Sequence, residues 1–240
     1  MRIAVDAREL GGRPTGVGRY LAEIARVWRT LSAAAGHEII WCSNEAIEQP
    51  LLDRQGWRVA VRAGGSLYWE QIAFPGLARA AGADVLFAPA YSGPMTGSMP
   101  LVVSIHDVSF AAHPEWFRLR EGLRRRALTR AAARRAATVL TLTEFSRREI
   151  HDHLGVPLER IRVAAPGPSG LPAQTAEVLR QETVLMVGSI FNRRHVPELV
   201  RGFARVAATH PSARLAIVGD NRTHPHVDIE AVRQASGMAN

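Results

Sequence analysis

The feature that most constrains the fold is an alternation of short, strand-length apolar runs with longer amphipathic stretches. The clearest runs are RIAVDA (2–7), HEIIWCS (37–43), ADVLFAPA (83–90), LVVSIHD (101–107) and ATVLTLT (137–143). Strands buried on both faces of a sheet have this nearly continuous apolar character, because helices cover both sides of a parallel sheet. The pattern therefore predicts an α/β fold with a Rossmann-like parallel sheet.

The alternation is interrupted once, which predicts two domains. Residues 1–166 form the first, and the polar, proline- and glycine-containing segment 167–181 reads as a linker or hinge. Residues 182–240 begin a second Rossmann-like domain with only two strand-like runs, at 182–190 and 213–220. A doubly wound domain needs about five or six strands, at ~30 residues for each βαβ step. The second domain is therefore expected to be incomplete.

Two longer segments predict helices with specific features. The segment 66–82 predicts a helix that breaks near Pro75, since proline lacks the N–H that the helix needs. A second helix is predicted from about Pro114 to Ala136. The residues of this second helix expected to face the core are Trp116, Leu119, Leu123 and Ala127.

The charge balance is strongly basic, with a net charge of +8 and 30 basic residues, all arginine. Such a balance suits nucleic acid, anionic lipid or phosphorylated substrates, although a GC-rich genome would produce the same arginine content. Nucleic acid is not the expected partner, because aromatic residues are not interleaved with the arginines and no recognition motif is present. A single cysteine, Cys42, and the lack of a signal-like start or membrane-length run favour a cytoplasmic protein.

Arginines cluster on the predicted helix between Arg118 and Arg135. Arg126, Arg130 and Arg134 recur at intervals of four, and like charges at this spacing repel each other by a few tenths of a kcal/mol. Either an anionic membrane surface compensates them, as a peripheral contact at the inner membrane face, or solvent and salt screen an exposed helix.

The loop GGRPTGVGRY (11–20) follows the first strand-like run and raises the question of a nucleotide site. Gly16 and Gly18 begin a dinucleotide fingerprint, but Leu21 stands at its third glycine position, and no acidic residue closes the second strand. NAD and FAD are therefore not expected. Either the free N–H groups of residues 17–19 form an anion pocket at a helix start, or the loop is a surface turn.

Five motifs occur together in an order and at intervals that resemble glycosyltransferase family 4. They are TGVGRYLAEI (15–24), YWEQIAFP (68–75), IHDVSF (105–110), TLTEFSRREIHDHLGVPLERIRVAAPG (141–167) and VGSIFNRRHVPELVRGFARV (187–206). The resemblance implies a retaining transferase with the two-domain GT-B fold. It also implies a nucleotide-sugar donor as substrate, GDP- or UDP-linked, no cofactor, and a mannose- or glucose-type sugar passed to a saccharide or lipid-linked acceptor.

The resemblance assigns roles around the glycine loop. Gly16 and Gly18 correspond to the family's glycine loop near the donor diphosphate, and Thr15 and Val17 lie on the acceptor side of the cleft. In the second domain, Arg193 and Arg194 stand where the family has an Arg-Lys pair that holds the donor diphosphate. Arginine suits phosphate because its guanidinium binds it bidentately. The alternative for this pair is an exposed charged loop.

Other cleft residues follow from the resemblance in the same way. His106 corresponds to a histidine that contacts the donor sugar and is the catalytic candidate; the alternative is a histidine that caps a helix or bonds Asp107. Asp107 is expected to order its loop. Glu144 and Ser146 correspond to a turn facing the cleft, although Ser146 with Glu149 also fits a simple capping box.

Some features depart from the family pattern or from catalytic chemistry. The family's acidic pair, Glu-x7-Glu, is not found after Asp220, and Glu230 lies in a different segment. This favours an alternative in which the chain is an incomplete fragment, or an acceptor-binding subunit that needs a partner for the donor site. The sequence shows no closely spaced pair of carboxylates like the one that supplies the nucleophile in retaining glycosidases. His151 and His153 lack companion ligands, so no metal is expected.

Overall fold

A computed structural model describes residues 1–12, 15–47, 49–167 and 181–238. Seven parallel strands form one sheet in its first part. The strands are β1 Arg2–Asp6, β2 Glu38–Ser43, β3 Trp57–Val61, β4 Val85–Ala88, β5 Leu101–Ser104, β6 Thr138–Thr141 and β7 Ile161–Val163. Their order is β3-β2-β1-β4-β5-β6-β7. The direction of strand addition reverses between β1 and β4, which is where open α/β sheets bind their ligands.

The central strands are the most deeply buried part of this sheet. On β1, Ala4 and Val5 are fully buried, and Ala4 is in register with Ile40 on one side and Leu86 on the other. Trp41 of β2 packs into the same core. The α/β prediction is confirmed, because these apolar runs form parallel strands covered by helices.

In the described ranges, eight α-helices connect or follow the strands. They are α1 Gly16–Thr30, α2 Ser66–Tyr68, α3 Phe74–Ala80, α4 Ser109–Ala112, α5 Leu119–Arg135, α6 Glu144–Leu154, α7 Val196–Thr209 and α8 Ile229–Ala235. Among the described residues, no helix is both long and apolar enough to cross a membrane.

The chain divides into two compact units. The first comprises Met1–Ala112 and Leu123–Gly170, and the second comprises His113–Gly122 and Leu171–Asn240. The linker predicted at 167–181 lies almost entirely outside the described residues. The predicted domain boundaries therefore stay predictions.

The second unit contains a parallel pair of strands, β8 Thr183–Val187 and β9 Arg214–Val218. Ile190, Val196 and Val200 form its buried cluster, against which residues of β8, β9 and α8 pack. Both strands predicted for this region are therefore present.

The segment predicted to break near Pro75 instead continues through it. A π-turn, Trp69–Ala73, joins α2 to α3, and Pro75 lies in the first turn of α3. Pro75 has no N–H to donate to the carbonyl four residues earlier. The hydrogen-bond pattern of the helix therefore widens to a π-turn at this point, and the helix does not end. The predicted break is therefore wrong.

The predicted helix over 114–136 is also corrected. A short 3-10 turn, Pro114–Trp116, precedes α5, and most of the stripe expected to face the core is exposed, whereas Trp116 is partly buried. Leu119 and Leu123 are 74% and 51% exposed. The buried residues of α5 include Thr129, Ala132 and Ala133. The buried face of α5 therefore carries small side chains rather than Leu119 and Leu123.

Candidate functional site

The candidate site lies at the carboxyl edge of the seven-stranded sheet, where the loops after β1, β4, β5 and β6 begin. Parallel strands bring these loop starts to one edge, and that edge is where ligands bind in open α/β sheets. His106 and Asp107 follow β5 closely, and Thr143 follows β6.

His106 is held as a neutral imidazole. Its Nε2 lies 2.9 Å from the carbonyl oxygen of Pro89, so this nitrogen carries the proton and donates it. The rings of Tyr20 and Tyr91 contact the imidazole edge-on, with centroids 4.9 and 5.4 Å away. Burial lowers the pKa of His106, more than the Pro89 bond and the Asp107 charge raise it. The imidazole is therefore neutral near pH 7.

The other ring nitrogen of His106 remains available. Nδ1 is buried and has no hydrogen-bond partner within the described part of the chain. In this tautomer Nδ1 carries a lone pair and can accept a hydrogen bond. Since a buried polar atom without a partner is unfavourable, a hydrogen-bond donor that reached Nδ1 would be stabilised there.

Asp107 orders the loop that follows β5. Its Oδ1 accepts from the backbone N–H of Ser109 at 3.0 Å and from the Ser109 hydroxyl at 2.6 Å. Its Oδ2 accepts from the hydroxyl of Tyr91 at 2.9 Å. The carboxylate thus joins the loops after β4 and β5, in agreement with the loop-ordering role expected from the sequence.

The start of α6 adds Ser146 to the same edge. The hydroxyl of Ser146 donates to the carbonyl oxygen of His106 at 3.2 Å. The capping box proposed for Ser146 and Glu149 is wrong, because Thr143 is the N-cap and accepts from the Ser146 N–H at 3.0 Å. Glu144 is exposed and pairs with Arg147 at 3.3 Å.

The glycine loop forms the start of α1, but most of its predicted anion pocket is occupied. The N–H of Gly18 donates to the Thr15 hydroxyl oxygen at 2.8 Å, and the N–H of Arg19 donates to the Thr15 carbonyl at 3.0 Å. The prediction that residues 17–19 offer three free N–H groups is therefore wrong for Gly18 and Arg19, because Thr15 caps the helix.

The two glycines of this loop differ in their surroundings. A Cβ on Gly18 would collide with the carbonyl oxygen of Glu9, whereas a Cβ on Gly16 would have nothing within 4 Å. The Thr15 hydroxyl also donates to the Glu9 carboxylate at 2.7 Å. The close approach at Gly18 is thus to the chain's own backbone. The space at Gly16 remains open to a ligand.

Tyr20 connects α1 to the site. Its hydroxyl lies 3.2 Å from the Ser104 hydroxyl, and its ring contacts His106. Burial raises the pKa of Tyr20, so the phenol stays protonated. No motif signalled this contact. The sequence indicated only that Tyr20 lies one turn into the helix that starts at the glycine loop, which places it near the same edge of the sheet.

A buried ionic cluster occupies the switch point between β1 and β4. The guanidinium of Arg8 binds Asp6 at 2.7 Å and Glu70 at 3.2 Å. The Trp69 indole N–H donates to Asp6 at 3.1 Å, and the Ser92 hydroxyl donates to Glu70 at 3.0 Å. Sequence reasoning saw no neighbouring carboxylates because these are 64 residues apart. All four carboxylate oxygens accept hydrogen bonds, so neither group is a free nucleophile.

Arg193 and Arg194 lie in the second unit, in a 3-10 turn after β8. The Arg193 guanidinium stacks over the Phe191 ring at 4.4 Å. The Arg194 guanidinium lies against Gly188, where any Cβ would collide with it. Neither guanidinium has a hydrogen-bond or ion-pair partner in the described ranges.

The predicted site residues thus fall into three groups. Ser146 bonds to the backbone of His106, which directly precedes Asp107. Thr15 and Gly18 bond to each other at the start of α1, and the arginine pair belongs to the second unit. Among the described residues no group of histidines, cysteines and carboxylates could hold a metal ion.

Comparison with known proteins gives a family match over the first part of the chain. The model of glycosyltransferase family 4 matches residues 14–168. No curated protein sequence matches this chain.

Solved structures similar to the chain share its architecture at low sequence identity. One is a lipopolysaccharide outer core galactosyltransferase, WaaB, in its apo form (TM-score 0.56, 13% identity, covering 99% of this chain and 66% of that chain). A glycosyltransferase from Rickettsia africae ESF-5 has a TM-score of 0.55 at 12% identity, covering 100% and 66%. A structure described as trehalose-6-phosphate from E. coli bound with UDP-2-fluoro glucose has a TM-score of 0.51 at 11% identity, covering 98% and 68%. The present chain therefore has the Rossmann-like fold of GT-B glycosyltransferases and spans 66% of the length of the first two.

Proposed function

The chain belongs to glycosyltransferase family 4, and on that premise we propose that it transfers a sugar from a nucleotide diphosphate donor to a saccharide or lipid-linked acceptor. The observation that carries this proposal is the neutral, partly buried His106, whose buried Nδ1 is an acceptor without a partner among the described residues, at the carboxyl edge of the sheet. The donor is GDP- or UDP-linked, and the sugar is of the mannose or glucose type.

His106 acts on the donor sugar as a hydrogen-bond acceptor. Its Nε2–H is committed to Pro89, so Nδ1 receives a sugar hydroxyl. Since Nδ1 is covered, that hydroxyl reaches it only after the surrounding groups shift. Ser146 and Asp107 keep the His106 backbone and its loop in place through the bonds described above.

Arg193 and Arg194 bind the donor diphosphate. Negative charge accumulates on the leaving phosphate oxygens in the transition state, and guanidinium groups stabilise it. Arg193 packs on the Phe191 ring and Arg194 packs against Gly188. These contacts use no N–H donor of either guanidinium, so the donors remain for phosphate. Gly16 leaves space near the start of α1 for the donor, and Thr15 and Val17 lie toward the acceptor.

The transfer retains the configuration of the sugar. A double-displacement route needs a free carboxylate nucleophile, and Asp6 and Glu70 are both saturated by hydrogen bonds. We therefore infer that the leaving phosphate itself takes the proton of the acceptor hydroxyl, with attack from the same face. NMR of the anomeric proton of the product tests this. Inversion would contradict it.

The first experiment is a thermal-shift titration with GDP, UDP, ADP and NAD. We expect a shift with GDP or UDP that is lost in Arg193→Ala and Arg194→Ala. Arg205→Ala is the matched control, because Arg205 is an exposed arginine of the same unit that has no side-chain hydrogen bond or ion pair with any described residue. Transfer assays with sugars of the active nucleotide follow. No shift with any nucleotide would favour the alternative of an acceptor-binding subunit that needs a partner for donor binding.

A second part of the proposal is a peripheral contact with an anionic membrane, on the cytoplasmic side, through α5. Leu119 and Leu123 are exposed on a helix with arginines at Arg120, Arg124 and Arg130. Apolar side chains enter the lipid interface, while arginines bind anionic headgroups at about 1 kcal/mol each. A lipid-linked acceptor would be reached at such a surface.

Vesicle co-sedimentation tests this contact. We expect binding to vesicles of phosphatidylcholine with phosphatidylglycerol, weaker binding at high salt, and little binding to phosphatidylcholine alone. The double variant Leu119→Ser with Leu123→Ser should lose binding. Leu67→Ser should not, since Leu67 has a similar exposure, 52%, on a different helix. Equal binding by both variants would contradict the contact.

A further inference from the structure

We propose that the segment Trp69–Glu70–Gln71 is a positioning element for His106, acting through the loop between β4 and β5. Glu70 and Gln71 hold this loop so that the Pro89 carbonyl fixes the proton of His106 on Nε2 and leaves Nδ1 as the acceptor. The role of this element in catalysis rests on the proposed function. The effect of the segment on His106 can be tested without any transfer reaction.

The π-turn directs three consecutive side chains toward two loops. Trp69 donates to Asp6 at 3.1 Å, which anchors the turn to the end of β1. Glu70 accepts from Ser92 at 3.0 Å. An ordinary α-helical turn spaces neighbouring residues by about 100° around the axis, and the wider π-turn changes this spacing; such turns occur frequently at functional sites.

Gln71 holds the next part of the same loop with both ends of its amide. Its Nε2 donates to the Gly93 carbonyl at 3.1 Å, and its Oε1 accepts from the Met95 N–H at 2.8 Å. Together with Ser92, these contacts tie three nearby positions of the loop to two adjacent residues of the π-turn. Both donor and acceptor of the amide are used, so glutamine is required where alanine or glutamate would lose at least one bond.

The held loop contains the groups that define the state of His106. The Pro89 carbonyl receives the Nε2 proton at 2.9 Å, and the Tyr91 ring contacts the imidazole. Tyr91 has a φ of 62°, a left-handed conformation that is unfavourable for a residue with a Cβ. Such conformations persist where the surroundings over-determine them. Ser92 follows Tyr91 directly, so its bond to Glu70 supplies part of that constraint.

The hydrogen bond that a histidine nitrogen makes sets which nitrogen carries the proton. The Glu70–Ser92 and Gln71–Gly93 contacts therefore act on His106 through the Pro89 carbonyl, without touching the imidazole. Glu70 and Gln71 are positioning residues.

Solvent exchange of the His106 Nε2 proton, measured by NMR on the whole chain, tests this inference. The bond to the Pro89 carbonyl should protect the proton, giving a downfield signal that His106→Asn removes and so assigns. In Ser92→Ala and Gln71→Ala we expect this exchange to accelerate about tenfold or more, the effect of one or two lost hydrogen bonds. Two variants are used so that the test survives if one of them fails to fold.

Two controls separate a local effect from general destabilisation. Gln55→Ala removes an exposed glutamine whose side chain bonds to no residue in the described part of the chain, and Ile161→Val weakens the core at β7, away from this loop. Both should leave the exchange rate unchanged. Faster exchange in the two loop variants alone supports the inference, whether or not transfer is detected. Unchanged exchange in both folded variants, or an equal acceleration in Ile161→Val, overturns it even if transfer is observed.

Discussion

The Nε2 atom of His106 lies 2.9 Å from the carbonyl oxygen of Pro89, at the end of the neighbouring strand. This one bond fixes which nitrogen of the imidazole is protonated and leaves the buried Nδ1 without a partner in the described part of the chain. A carbonyl on the loop after β4 thereby sets which nitrogen is protonated in a side chain on the loop after β5.

The lowered pKa of His106 makes stability depend on pH. The unfolded histidine binds a proton near its ordinary value of 6.5, whereas the folded one resists protonation because it is buried. The unfolded state therefore binds more protons as the pH falls through 6.5, and the free energy of unfolding decreases there. Urea unfolding between pH 8 and about 5 should show this loss in the natural sequence, and a smaller one in His106→Asn.

The control for this pH dependence is His226→Asn, since His226 is exposed. Its curve should parallel that of the natural sequence. A His106→Asn curve of the same slope would contradict the burial of a neutral imidazole.

The two glycines at the start of α1 should tolerate alanine very differently. Gly18→Ala places a Cβ against the Glu9 carbonyl, so we expect a loss of about 1–3 kcal/mol in the free energy of unfolding. Gly16→Ala meets open space, and should be neutral or stabilise by up to about 1 kcal/mol. Urea unfolding of both variants measures the difference. Equal stabilities would show that the Glu9 contact is absent.

Cys42 should be unreactive in the folded protein. It is fully buried, and burial raises the pKa of its thiol to about 12, so the reactive thiolate is scarce at neutral pH. A chromogenic disulfide reagent should label no thiol under native conditions and one thiol in denaturant. Rapid labelling of the native protein would place Cys42 at an accessible position instead.

The buried ion pair of Asp6 should contribute far more to stability than an exposed one. Asp6→Asn turns an amide N–H₂ toward the Arg8 guanidinium and leaves a buried charge poorly compensated, at a cost of about 3 kcal/mol. Glu38→Gln breaks the exposed pair with Arg2 and should cost under about 1 kcal/mol. Denaturant midpoints compare the two. Similar losses would contradict the burial of the Asp6 cluster.

Prediction from the sequence succeeded for the strands, because a nearly continuous apolar run indicates a strand that is buried on both faces of the sheet. The runs that contain β1, β4 and β5 are nearly continuously apolar, and each became a central parallel strand. The prediction failed on α5, where Leu119 and Leu123 point outward and alanines pack inward. Helical periodicity identifies an apolar stripe, but which face of the helix is buried depends on the elements packed around it.

In the candidate site, too, some features could be predicted from the sequence and others could not. The position of His106 after a buried strand was predictable, since parallel strands end at one edge. Its partners Tyr20, Pro89 and Tyr91 were not, because they come from other segments and each contact depends on how the sheet orders its strands.

The sequence by itself determined the strands, the α/β class and the family, because these depend on local periodicity and on motifs that keep their order. Only the tertiary structure decided that Thr15 occupies the N–H group of Gly18, that Arg8 joins Asp6 to Glu70, and that the Nδ1 of His106 remains without a described partner. Hydrogen bonding and desolvation act over a few ångströms between residues distant in the chain, so no local pattern encodes them.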